Sequence, residues 1–155
     1  MIPVRRLNHA VLFVSDLERA VAFYTEAFDM QVAAQEPAAN AAFLRARRGD
    51  NHHDLGLFGR GAGAPHPPRG STGLYHLAWQ VDDIRDLAEA RETLRAYGAL
   101  TGESDHGATK SIYGVDPDGN EFEIMWMLPR DQWGAYEGEA PVRPLDLDAE
   151  IAKHS

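Results

Sequence analysis

With 155 residues, 44% of them apolar and 25% charged, the chain has the size and make-up of one globular domain able to bury its own core. Its net charge of −9 argues against a nucleic-acid backbone or an anionic membrane as partner, since both need a basic patch. There are no cysteines, which excludes disulfides and thiolate metal sites. Any metal must therefore be held by imidazole and carboxylate, a donor set suited to Fe, Mn, Zn, Ni or Co. No apolar run approaches the roughly 18 residues of a membrane span. The opening MIPVRRLNHAV lacks the apolar stretch and small-residue cleavage site of a secretory signal. A soluble, cytoplasmic protein is expected.

In chain order, Leu7–Val14 alternates polar and apolar residues and predicts a strand. The segment SDLERAVAFYTEAF predicts a helix. Ser15 and Glu18 have capping-box spacing, and Leu17, Val21, Phe23, Tyr24 and Phe28 form its apolar face. Strands are expected near Met30–Gln35, Ala41–Arg47 and His53–Phe58. The Gly/Pro-rich stretch Gly59–Gly73 can be neither helix nor central strand and is predicted to be a linker. The pattern then repeats. LYHLAWQV predicts a strand, and DDIRDLAEARETLRAYG a helix with Ile84, Leu87, Ala88, Arg91 and Leu94 inward and Gly98 as its stop. Further strands are expected near Leu100–Ser104, Lys110–Asp116 and Glu121–Met127, with Asp116–Asn120 as the last hairpin turn.

The expected fold class is therefore α+β, with paired βαβββ modules forming a cupped mixed β-sheet and the helices outside. Residues 1–128 are read as a single domain of two modules, 7–58 and 74–127, joined by the linker 59–73. Residues 129–155 are read as an acidic C-terminal tail in which Trp133, Tyr136 and Leu145 pack on something, whether its own domain or a partner chain.

Strand alternation puts His9 with Val11 and Phe13, His76 with Ala78 and Gln80, and Glu123 with Glu121, Met125 and Met127. Each lies opposite the more apolar, helix-facing side. Taken singly, each is an ordinary polar residue on an exposed sheet face. Together, with His9 and His76 at equivalent places in a repeat, they supply two imidazoles and one carboxylate, a ligand set for a divalent metal with open positions. His52 neighbours His53 and by alternation belongs to the opposite face. His66 in the linker and His154 in the tail are not candidates.

The segments LNHAVLFVSDLERAVAFYTEAF, GLYHLAWQVDD and YGVDPDGNEFEI resemble the vicinal oxygen chelate superfamily, the glyoxalase, bleomycin-resistance and extradiol dioxygenase group. The resemblance spans about Leu7–Met127 and is strongest to catechol 2,3-dioxygenase-type extradiol enzymes. It implies Fe(II), or Mn(II) or another divalent metal, held by His9, His76 and Glu123. It also implies catalytic roles for His53, His106 and Tyr113, so that four of the seven histidines fall on functional positions. His106 or His53 would move protons, and Tyr113 would hydrogen-bond the substrate. Val11, Phe13, Leu55, Leu57 and Met125 would wall an aromatic ring. The implied activity is ring cleavage of a catechol-like aromatic by dioxygen. Two other activities of the group are a glyoxalase-type isomerase or lyase, which needs a further ligand for which the strand HHDLGLF offers no Glu and only His53, and metal-free antibiotic binding, against which an intact ligand set counts. Most characterised extradiol enzymes of this type carry two such domains, whereas this chain resembles the catalytic one. A homodimer is expected.

Overall fold

The computed structural model describes residues 1–68 and 70–154. Arg69 of the expected linker and Ser155 of the expected tail lie outside the described residues. The chain divides into two compact units, Met1–Thr72 and Gly73–Ser155. No helix among the described residues is long and apolar enough to cross a membrane.

The first unit runs β1 (Ala10–Val14), α1 (Leu17–Ala27), β2 (Met30–Glu36), β3 (Ala41–Ala46) and β4 (Leu55–Gly59). The four strands form one mixed sheet in the order β1-β4-β3-β2. The return through α1 makes β1 parallel to β4, with Ala10 opposite Leu55 and Leu12 opposite Leu57. Pairing begins at Ala10, not at Leu7 as the alternation suggests, because the partner strand begins at Leu55. Leu12 and Val14 are buried with Ala20, Phe23, Tyr24, Leu44, Leu55 and Leu57, while Val11 and Phe13 on the opposite face are exposed. The cap of α1 is Asp16, whose side chain accepts the Arg19 N–H at 3.0 Å. The expected Ser15–Glu18 box does not form, and the Ser15 hydroxyl accepts from the Arg19 guanidinium instead.

The second unit repeats the plan with β5 (His76–Val81), α2 (Ile84–Ala96), β6 (Leu100–Asp105), β7 (Thr109–Val115) and β8 (Glu121–Met127), in the order β5-β8-β7-β6. Asp83 caps α2 through the Arg85 N–H. The helix stops as expected at Gly98, whose φ of 64° allows Gly98 N–H to bond Arg95 O and Ala99 N–H to bond Leu94 O, a Schellman closure. The β7–β8 turn is organised by buried Asp116. Its carboxylate accepts from the Asp118 and Asn120 N–H groups and from the Asn120 amide, each at 2.9 Å. Phe122 fills the space above Gly114, where a Cβ would lie 2.6 Å from its ring and 3.0 Å from the Ala99 carbonyl.

The residues after β8 pack on this second unit. Trp133 donates its indole N–H to Leu128 O at 2.7 Å, and the Tyr136 ring sits over Gly107. Helix α3 (Leu147–His154) buries Leu147, and His154 lies against Trp126. Lys110, only 4% exposed, bridges Asp105 at 2.5 Å and Glu150 of α3 at 3.3 Å. Burial alone would raise the Asp105 pKa, but the Lys110 ammonium, the Gly107 N–H and Arg143 outweigh it and hold the carboxyl below its ordinary value.

Two predictions follow from this packing. Gly114→Ala forces a methyl into Phe122 and a backbone oxygen, and should cost about 1–3 kcal/mol, read as a lower urea midpoint. The Asp105 pKa is depressed in the fold, so its stabilising contribution is present above the unfolded value of 3.8 and lost as pH falls through the lower folded value. Asp105→Asn should therefore lower Tm near neutrality and flatten the acid-side fall of Tm with pH.

Candidate functional site

In the second unit, the parallel β5–β8 pair sets Ala78 opposite Glu123 and His76 opposite Glu121, so His76 and Glu123 lie on adjacent strands and on one face. His76 Nε2 is 3.1 Å from Glu123 Oε2, with the two side chains 25% and 13% exposed. Antiparallel β7 places Tyr113 directly opposite Glu123, and the Tyr113 hydroxyl donates toward Glu123 Oε1 at 3.3 Å. His106, in the turn between β6 and β7, brings Nε2 to 2.8 Å from the same hydroxyl, and its Nδ1 lies 2.8 Å from the Pro141 carbonyl. Four sequence-predicted residues thus form one continuous chain of polar contacts, His106–Tyr113–Glu123–His76. Burial first, then the Glu123 charge and the hydrogen bond to it, push the Tyr113 phenol up to about 12, so it keeps its proton at neutral pH. The chain opens on a cleft of about 410 Å³ whose lining includes Tyr75, His76, Glu103, Tyr113, Glu121 and Val142.

In the first unit, His9 is exposed just before β1, and its Nδ1 lies 2.9 Å from Asn8 Oδ1. Only an N–H can meet that oxygen, so in the neutral ring Nε2 is the nitrogen with the free lone pair. The Asn51 amide ties the neighbouring loop down, donating to Asn8 O at 2.8 Å and His53 O at 2.7 Å. His53 stands against His9 with ring centroids 4.5 Å apart, and against Phe43 at 5.2 Å. Burial first, then positive charge on His9 and His52, draw the His53 pKa below its usual value.

Two expectations need correction here. His52 and His53 precede β4 and are not strand residues, so alternation does not separate them; their Nδ1 atoms are 2.9 Å apart. Leu55 and Leu57 are fully buried on the helix side and form no part of an open wall. The parity that ties them to His53 breaks at the loop, and the register of Leu55 with Ala10 and of Leu57 with Leu12 shows their true side. Gly56 and Phe58 take the other face, where an added Cβ at Gly56 would meet Val11 and Phe43. Pro141 and Val142 were not legible as site residues. One acts through a backbone oxygen, and the other lies in a stretch without periodicity.

Within either unit, the described residues bring together no group of three or more His, Asp or Glu side chains able to hold a metal ion. The donors present nonetheless fit a borderline divalent metal. His76 and Glu123 set an imidazole nitrogen and a carboxylate oxygen 3.1 Å apart, and His9 has its second nitrogen engaged as metal-binding imidazoles do.

The sequence model of the Glyoxalase/Bleomycin resistance protein/Dioxygenase superfamily matches residues 6–124. The chain is 32% identical over 128 residues to the catechol-2,3-dioxygenase of Bacillus subtilis (strain 168), covering 82% of this chain and 43% of that protein. It is 33% identical over 122 residues to biphenyl-2,3-diol 1,2-dioxygenase 3 of Rhodococcus globerulus, covering 77% of this chain and 62% of that protein. It therefore spans less than two thirds of the length of either relative. The crystal structure of lactoylglutathione lyase from Agrobacterium tumefaciens superposes with a TM-score of 0.59 at 23% identity, over 81% of this chain and 96% of that one, and shares the fold. With two βαβββ units and a family match that runs across both, the chain belongs to the glyoxalase/bleomycin resistance protein/dioxygenase superfamily.

Proposed function

We propose that this protein is an extradiol ring-cleaving dioxygenase acting on a catechol-like aromatic, with His9, His76 and Glu123 holding Fe(II) or, in its place, Mn(II). The observation that carries this reading is the His106–Tyr113–Glu123–His76 chain, with contacts of 2.8, 3.3 and 3.1 Å. It couples a proton-accepting imidazole and a neutral phenol to a carboxylate–imidazole pair of metal-ligand type. The similarity to two catechol-type dioxygenases supports the same reading. A glyoxalase-type isomerase would draw a further ligand from the strand that ends the first unit, and β4 reads Leu-Gly-Leu-Phe-Gly, which leaves only His53, just before the strand, for that role.

In this reading a divalent metal bound at those three side chains supplies the redox chemistry and the open positions that catechol and dioxygen need. The protein supplies the rest. Tyr113 offers its phenolic O–H to a substrate oxygen from a buried position where it stays protonated. His106 Nε2, in reach of that hydroxyl, takes the proton a catechol must lose and returns it when the O–O bond breaks. His53, beside His9, is a second imidazole available for this role. The cleft beside Tyr113 and His76 holds the ring, with Val142 as an apolar wall. In the overall reaction one ring C–C bond and the O–O bond break, and both oxygen atoms enter the open-chain product.

His76→Ala or Glu123→Ala should abolish tight metal binding while leaving the circular dichroism spectrum unchanged, measured as metal per chain after desalting. His106→Ala or Tyr113→Phe should retain the metal and lower kcat by about 10²–10⁴-fold, measured as oxygen uptake with a catechol panel. Metal retained after loss of both His76 and Glu123 would show that the ligands are misassigned.

A further inference from the structure

We infer that the segment Glu139–Arg143 is a positioning element for the site, because the Pro141 carbonyl fixes His106 as the Nδ1–H tautomer and so presents Nε2 to Tyr113. The inference rests on the reading of His106 as the proton-handling group and gives the residues after β8 a part in it.

The chemistry of the contact sets the tautomer. A carbonyl oxygen can only accept, so at 2.8 Å the His106 Nδ1 must carry the hydrogen. In the neutral ring Nε2 is then bare, and the one phenol hydrogen of Tyr113, 2.8 Å away, turns from Glu123 Oε1 to donate to it. If the ring gains a proton, Nε2–H donates back to the phenol oxygen, and the phenol hydrogen turns toward Glu123 Oε1 at 3.3 Å. In both states Nδ1 keeps its hydrogen. Proton exchange is confined to the nitrogen that faces the site.

The carbonyl is held where this requires it. Pro141 lies 35 residues beyond His106, and two backbone hydrogen bonds bring it back, Arg143 N–H to Asp105 O at 3.0 Å and Asp105 N–H to Arg143 O at 2.9 Å. They clamp the segment antiparallel to the end of β6, one residue before His106. The same hairpin is fixed from within by His106 N–H to Thr109 O at 2.9 Å, and by the Asp105 carboxylate to Gly107 N–H at 2.7 Å and to Lys110 at 2.5 Å. Proline at 141 restricts φ, which limits the directions its carbonyl can take. The next residue, Val142, lines the cleft, so the same clamp shapes the wall beside the ring.

Long-range 1H–15N correlation on the full chain with 15N-labelled histidine reads the tautomer directly, with His106→Gln identifying the signal. The expected result is a His106 ring protonated at Nδ1. Arg143→Pro removes the N–H that clamps the segment. It should shift His106 toward the Nε2–H form and lower kcat at least about tenfold with KM changed by less than about threefold. Should that variant not fold, Pro141→Gly keeps the carbonyl but frees φ, and should give a mixture of tautomers. An Nε2–H ring in the wild type overturns the inference, as does a folded Arg143→Pro variant that retains the Nδ1–H form. Unchanged turnover in His106→Ala alongside an Nδ1–H wild type would instead strike the functional reading and leave the tautomer assignment standing.

Discussion

The parallel pairing of the first and last strand in each module is the constraint on which the rest depends. A helix connects β5 back toward the sheet, and α2 must cover one face of that sheet, so Phe122, Ile124 and Trp126 turn inward. Strict alternation then leaves Glu123 on the opposite face. The register of Ala78 with Glu123 carries His76 beside it, and β7 adds Tyr113 from the other side. Ligand-type residues thus meet because a core has been buried behind them. The first module applies the same rule, with Leu12 and Val14 inward and Val11 and Phe13 on the outer face beyond His9.

What distinguishes the second module is how far its polar face is organised. The His106–Tyr113–Glu123–His76 chain is partly buried, which strengthens each contact and keeps the phenol protonated. The residues after β8 complete it. They fasten to the same hairpin through Lys110, Glu150 and the Arg143–Asp105 bridge, and set the Pro141 carbonyl against His106. In this arrangement stability and site geometry share their supports, so a change to the anchorage is felt at the imidazole.

Most of the fold was legible because its signals are local. Period-two alternation placed the strands, and acidic starts with Gly98 bounded the helices. The Asp116–Asn120 turn followed from Pro117 and Gly119, whose φ is 78°. Ser15 was mistaken for the cap because two adjacent residues can each accept, and only backbone geometry chooses Asp16. His76, Glu123, Tyr113 and His106 were legible as strand-end and turn residues, and they do meet. Leu55 and Leu57 were misplaced because alternation was run through residues 52–54, which the Asn51 hydrogen bonds hold as a loop. The role of Pro141 left no trace in side-chain chemistry, since a carbonyl oxygen belongs to every residue.

The central claim, that these side chains serve ring cleavage by dioxygen, is tested most directly by isotope. The Fe(II)-loaded full chain would be given a catechol under 18O2 and the product weighed by mass spectrometry. The account predicts a ring-opened product carrying two labelled oxygen atoms. A catechol converted without any label, or a chain that binds one iron and consumes no oxygen with any catechol offered, would contradict it.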